Sequence, residues 1–363
     1  MNLTIRRPDD MHCHFRWDDR LKTVLGFTAR VFGRGLDMPN WKIPGHPWGT
    51  EKSPWAPGVR AQDVLEHRAM IQALCEEHGW DFEPIGCIYI TEETDTAMIE
   101  EAARAGIKAC KTFFRGVSTN SGWGVRDPLS VGHQRLLSAM QAHGLVNSMH
   151  VEKPGVFILD AEREALSVFE RIVKTFPALR SVIEHISTAD AVRMVMNLET
   201  PNVAATITPH HLLMTLDDVL SGGIRPHNYC MPVLKRPEDR EALIQAAISG
   251  DRRFFFGSDT APHERHTKES SCGCAGVFCA PVAMPVVAAV FEHYGALDRV
   301  NWFTSESGPE FYDLPLNEGT ITLVKRPWRV RASYGDPEHP EKCIIPYLAG
   351  EELAWQVEGV DFS

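Results

Sequence analysis

Short apolar runs alternate along the chain with longer segments in which apolar residues recur every three or four positions. The runs at 3–5, 29–36, 84–90, 106–110, 145–149, 179–183, 203–207 and 253–256 are predicted strands. The segments at 59–78, 94–105, 128–143, 161–176, 189–198, 236–249 and 281–293 are predicted helices. Repeated strand-then-helix order predicts βαβ units and a parallel sheet. Eight strand candidates fit a closed (β/α)8 TIM barrel, read as a single domain over residues 1–363. A doubly wound open sheet is the alternative. Its nucleotide-binding form is unsupported, because no Gly-x-Gly-x-x-Gly follows any of these strands. Residues 41–57 break the rhythm with Trp41, Trp48, Trp55, four prolines and two glycines. They are expected to form a long ordered loop, either a packed surface excursion or a wall of the active site. From about 320 the pattern predicts short extra strands outside the barrel.

Composition narrows the function. The chain has 363 residues, 44% hydrophobic and 23% charged, which suits a folded domain with a large core. Its net charge of −11 disfavours a nucleic-acid surface and a polybasic membrane anchor. An anionic ligand would therefore need a local positive site. The first residues lack an apolar signal core, and the longest apolar stretch, about 282–291, is too short to span a bilayer. Nine scattered cysteines argue against a secreted disulfide framework and for a reducing cytoplasm.

The chemistry lies at the ends of the predicted strands. His12-x-His14 on an extended segment presents two imidazoles to one side. By itself such a pair is weak. Lys111, His150, His185 and Asp259 follow other strands, and in a barrel catalytic groups gather at that face. Four imidazoles and a carboxylate suit Zn²⁺ or a similar divalent ion. An ammonium is out of place there unless Lys111 has added CO₂ to become a carbamate able to bridge two metals; Lys108 is a nearby competitor. Cys272, Cys274 and Cys279 lack the second pair of a thiolate zinc site. His210-His211 is read as packing or support for ligands, and Glu152 as hydrogen-bonding support for the metal site.

Several blocks carry a resemblance: Arg6-Arg7-Pro8-Asp9-Asp10-x-His12-x-His14-x-Arg16, Met38-Pro39-Asn40, Lys111 with Thr119-Asn120-Ser121, and Glu184-His185-Ile186. Further on come Arg225-Pro226-His227-x-Tyr229-Cys230, Leu234-Lys235-Arg236 and a long block from Asp259 to Gly276. The chain resembles the amidohydrolase superfamily and, within it, the single-function bacterial dihydroorotases. That resemblance implies a binuclear metal centre at the C-terminal ends of the barrel strands. His12, His14 and Asp259 would bind one zinc and His150 and His185 the other. N6-carboxylated Lys111 and a hydroxide would bridge them, with Asp259 also moving the proton. Arg16, Asn40 and His263 would hold a substrate carboxylate, while Met231, Ala275 and Gly276 would bind the pyrimidine ring through their backbones. A loop with Ser118 and Thr119 would close over it; the family usually has threonine at the first position. Arg115-Gly116 and the length of 41–57 are also unusual for the family and bear on loop closure and substrate preference. The implied activity is zinc-dependent, reversible hydrolysis of L-dihydroorotate to N-carbamoyl-L-aspartate, the third step of pyrimidine synthesis, in a cytoplasmic homodimer. The alternatives are a related cyclic amidohydrolase acting on another imide or hydantoin, and a non-catalytic homologue used as a binding subunit.

Overall fold

The computed structural model describes residues 1–51 and 53–362; Lys52, inside the predicted 41–57 loop, and Ser363, at the end of the predicted domain, lie outside the described residues. Eight strand–helix units run in order: β1 (Asp9–Cys13) and α1 (Arg20–Ala29), β2 (Arg34–Asp37) and α2 (Ala61–His78), then β3, which runs Glu83–Ile85 and resumes as Cys87–Ile90, and α3 (Thr96–Arg104). They continue with β4 (Ala109–Phe113) and α4 (Val131–His143), β5 (Val146–His150) and α5 (Ala161–Thr175), and β6 (Ser181–Ile183) and α6 (Ala189–Asn197). The last are β7 (Val203–Ile207) and α7 (Pro237–Ile248), and β8 (Phe254–Phe256) and α8 (Ala283–His293). Polar caps set several helix starts: Asp95, Ser130 and Thr188 accept from the backbones of Met98, His133 and Ala191.

The first half of β3 pairs with β2, and its second half begins the run of parallel neighbours β3 to β8. The circle closes between β8 and β1. There the Asp259 N–H donates to the His12 carbonyl at 2.7 Å and the His14 N–H to the Thr260 carbonyl at 3.0 Å. Cys13 and Thr260 form a parallel bridge across the same seam. Met11, Leu36, Cys87, Ala109, Val146, Val182, Ala204 and Phe255, one from each strand, make a single apolar cluster that fills the barrel interior. A separate, larger cluster lies between strands and helices, where α5 contributes Ala165, Leu166, Phe169, Ile172 and Val173 at helical spacing.

Strand periodicity then positions the site. Side chains two residues apart share a face. Two positions beyond the apolar plug therefore come Lys111 above Ala109, Ser148 above Val146, Glu184 above Val182 and Thr206 above Ala204. Two further on, β4 and β5 end in Phe113 and His150.

Several strand and helix assignments differ from the sequence expectation. Residues 3–5 belong to Asn2–Arg6, which pairs antiparallel with Thr320–Arg329 outside the barrel; that strand pairs in turn with Glu352–Val357. The true first barrel strand reads Asp-Asp-Met-His-Cys, all buried. Its carboxylates find partners distant in sequence: Asp9 pairs with Arg34 at 2.7 Å, and Asp10 accepts from the Ser258 hydroxyl at 2.5 Å. Predicted strand 29–36 is helical up to Ala29 and extended only over Arg34–Asp37. Helices at Arg20–Ala29 and Ser307–Phe311 carry no prediction. In the 41–57 segment Ile43–Pro44 pairs with Trp55–Ala56, and Trp41 is buried with its ring 4.1 Å from that of His67 in α2.

Closure depends on Gly257. A Cβ there would sit 2.8 Å from the Cβ of His12 and 3.1 Å from that of Thr206. Gly257→Ala should therefore cost about 1–3 kcal/mol, the range for an overpacked core. Urea unfolding measures it, and unchanged stability would show that the seam has slack.

Candidate active site

The C-terminal mouth of the barrel holds a pocket lined by His12, His14, Arg16, Asn40, Phe113, Ser118, Thr119, His150, His185, Met231, Asp259, Ala261, His263, Ala275 and Gly276. Every site residue singled out in the sequence lines it except Lys111, which is fully buried in the polar layer above the apolar plug.

The hydrogen bonds fix where protons sit. His12 Nδ1 lies 2.7 Å from Glu184 Oε2, so Nδ1 carries the proton and donates. Its Nε2 has no partner and faces Asp259 Oδ1 at 3.5 Å. His14 Nδ1 donates to Asn40 Oδ1 at 2.8 Å, which leaves the lone pair of a neutral His14 on Nε2. That lone pair meets Asp259 Oδ1 at 2.9 Å. Two imidazole lone pairs and a carboxylate oxygen thus converge with no donor of their own between them. A shared cation resolves the repulsion, and donor atoms of His12, His14 and Asp259 lie within 4.8 Å of one another.

A second group lies beside the first. His150 Nε2 donates to Glu152 Oε2 at 2.7 Å, which leaves its other nitrogen free of a proton. The His150 and His185 rings are 4.6 Å apart, and His12 and His185 are 4.9 Å apart. His185 Nδ1 and Lys111 Nζ are buried without partners. Burial pulls the pKa of Lys111 below its ordinary value, against the nearby Glu184 charge, and so favours the free amine. Burial works to raise the pKa of Asp259, but the imidazoles of His14 and His12 set against it hold it below the usual carboxylate range. His185 and Asp259 both have positive φ, 42° and 47°. Such conformations cost of order 1–3 kcal/mol outside glycine and cluster where function demands a particular aim.

Across the pocket Arg16 is buried. Its Nε donates to the Pro262 carbonyl at 3.0 Å and its Nη2 to His263 Nε2 at 3.4 Å, both uncharged acceptors. Burial lowers its pKa to about 9, which leaves it cationic at neutral pH. The loop over the mouth is tied to both sides. Thr119 Oγ1 donates to the Ala275 carbonyl at 3.1 Å, and Asn120 Nδ2 to the Asn40 carbonyl at 3.0 Å. Arg115 turns away from the pocket, its Nε donating to the Gly124 carbonyl at 3.0 Å.

Two residues quoted in sequence motifs without an assigned part prove central. Glu184 accepts from His12, from Ser148 Oγ at 2.5 Å and from Thr206 Oγ1 at 2.7 Å. Its spacing of two from the apolar Val182 was the available signal. Lys268 Nζ donates to the carbonyls of Tyr229 at 2.9 Å and Gly276 at 2.6 Å, fixing the wall that holds Met231, Ala275 and Gly276. Nothing local in the sequence marks that bond. Because Glu184 sets the tautomer of His12, Glu184→Gln should weaken retention of a divalent metal by about 10–100-fold, the usual cost of losing a partner of a ligating histidine. Titration with a competing chelator reads this, and wild-type retention would remove Glu184 from the site.

A family model described as Amidohydrolase matches residues 98–273. A dihydroorotase of Neisseria meningitidis is 42% identical over 98% of this chain and 99% of its own length. One from Shewanella pealeana is 42% identical with the same coverage. Among solved structures, dihydroorotase from Campylobacter jejuni superposes with TM-score 0.86 at 32% identity, covering 98% of this chain and 97% of its own. Dihydroorotase from Saccharomyces cerevisiae, in complex with 5-fluoroorotic acid, gives 0.87 at 30%, covering 98% of both chains. An L-hydantoinase from Arthrobacter aurescens shares the fold, with TM-score 0.75 at 16% identity over 98% of this chain and 84% of its own. The coverage and identity of these full-length relatives, on a barrel whose mouth gathers four histidines, a lysine and an aspartate, establish that the chain belongs to the dihydroorotase family.

Proposed function

We propose that the chain interconverts L-dihydroorotate and N-carbamoyl-L-aspartate by breaking and making one cyclic amide bond, the third step of pyrimidine synthesis. The observation that carries this reading is one pocket with converging lone pairs on one side and a buried cation, Arg16, on the other. The donor set fits two zinc ions: His12, His14 and Asp259 for one, His150 and His185 for the other, with carboxylated Lys111 between them. The unpartnered buried nitrogens of His12, His185 and Lys111 support that fit. Bound zinc supplies an activated water and polarises the scissile carbonyl.

The chain's own residues do the rest. Asp259 accepts a proton from the attacking water and returns it to the ring nitrogen as the C–N bond breaks. Its low proton affinity suits a base that stays ionised until the reaction loads it. Arg16, with Asn40 and His263, binds the substrate carboxylate; a guanidinium offers two parallel donors to two oxygens. The backbones at Met231, Ala275 and Gly276 bind the ring, and Ser118 and Thr119 close over it. A complete site argues against a purely scaffolding homologue. A cytoplasmic homodimer is proposed with this activity, the location supported by nine free cysteines and the dimer by the family alone.

Assay of purified protein with dihydroorotate, alongside metal analysis, tests the reading directly. Arg16→Met removes a charge-assisted contact worth roughly 1.5–3 kcal/mol, so dihydroorotate use should fall on the order of tenfold to several hundredfold with metal content unchanged. Uncharged cyclic imides should lose much less. A wild-type protein that ignores dihydroorotate, opens neutral imides and is indifferent to Arg16→Met would belong to the related hydrolases instead. Asp259→Asn keeps the shape and removes the proton acceptor, so turnover should collapse in both directions. Near-normal turnover would assign the base elsewhere.

A further inference from the structure

Behind the pocket wall lies a second buried cluster of metal-binding side chains. His210 and His211 sit on the short helix Pro209–Leu213 that follows β7, and Cys230 comes from the loop that carries Met231. One donor atom from each lies within 4.8 Å of the other two, and all three residues are buried. Among the described residues, only this group and His12–His14–Asp259 meet that geometry.

The second observation is an unmet demand for ligands. His210 is fully buried, yet neither Nδ1 nor Nε2 has a partner. A neutral imidazole carries one donor and one acceptor, and burying both unpaired is unfavourable. His211 is held differently. Its Nε2 donates to the Pro232 carbonyl at 3.2 Å, and its Nδ1 lone pair accepts from the Thr208 hydroxyl at 2.8 Å, a rotatable donor that an ion at Nδ1 would displace. The Cys230 thiol donates to the same Pro232 carbonyl at 3.2 Å, and burial pushes its pKa up to about 12. The Tyr347 hydroxyl is also buried and unpartnered, with its ring edge-on to His210 at 6.5 Å.

We propose that His210, His211 and Cys230 form a third metal site that takes one Zn²⁺, separate from the centre at the strand ends. Two imidazoles and a thiolate are a borderline-soft donor set, which selects zinc over magnesium or calcium. On binding, the zinc–sulfur bond forms, the Cys230 S–H bond breaks and the proton leaves to solvent. The ion ties the helix after β7 to the Cys230–Met231 segment, and so fixes the wall against which the pocket closes. The site rests on these three side chains and stands apart from the reaction proposed above.

Cobalt substitution tests it, because the strand-end donor set contains no thiolate. Protein produced in cobalt-supplemented medium should show a thiolate-to-Co²⁺ charge-transfer band in the near ultraviolet. Cys230→Ser should abolish the band, while a Cys272→Ser, Cys274→Ser double variant keeps it. Zinc analysis should give one ion fewer per chain in His210→Gln and in Cys230→Ser than in the wild type. The wild-type spectrum needs no variant to fold. Absence of the band from wild-type protein, or a band lost with Cys272 and Cys274, would overturn the proposal. Equal zinc in the wild type and a folded His210→Gln would do the same, leaving the cluster to a buried water.

Discussion

A single carboxylate on the barrel axis organises the site. Glu184 accepts hydrogen bonds from β1 through His12, from β5 through Ser148 and from β7 through Thr206, while standing at the end of β6. Burial works to raise its pKa, but the hydrogen bonds from His12 and Ser148 keep it below the ordinary value and therefore ionised. An ionised acceptor fixes the proton of His12 on Nδ1, and the open lone pair of Nε2 follows from that. The same Thr206 hydroxyl accepts from the His185 N–H at 2.6 Å, which supports that residue's left-handed backbone.

This layer explains how an acidic protein can hold an anionic substrate. The fields that matter at the mouth are local: a buried guanidinium on one rim and a cluster of cation-binding lone pairs on the other. Low-dielectric walls strengthen both, whereas the surface charges that make up the net −11 are screened by water and salt. The Thr119–Asn120 loop, bonded to Ala275 and Asn40, spans the same space.

The barrel was largely legible because six of its strands obey simple rules. β4, β5 and β7 are apolar runs followed by a helix signal, and the polar residue at each end stands out against them. β1 was misplaced because its buried polar groups meet their partners 25 residues away for Asp9 and 248 away for Asp10, and no local pattern records such a pair. The apolar Leu3–Ile5 run therefore drew the strand assignment. α1 was missed for a related reason: its flanking basic and polar residues hide a buried stripe of Leu21, Val24, Leu25 and Thr28. Site residues that carry their own chemistry were visible in sequence, whereas Lys268 acts on two backbone carbonyls, Tyr229 lying 39 residues away. Supporting bonds of that kind become visible only once the chain is folded.

The central claim is that the strand ends hold a binuclear centre built around Lys111. Anomalous X-ray scattering from crystals of the protein, collected at the zinc absorption edge, tests it most directly. The account predicts two peaks at the barrel mouth, one among His12, His14 and Asp259 and one beside His150 and His185, with density continuing from Lys111 Nζ between them. A mouth without anomalous peaks in protein that turns over dihydroorotate, or a bare Lys111 amine beside two occupied sites, would contradict it.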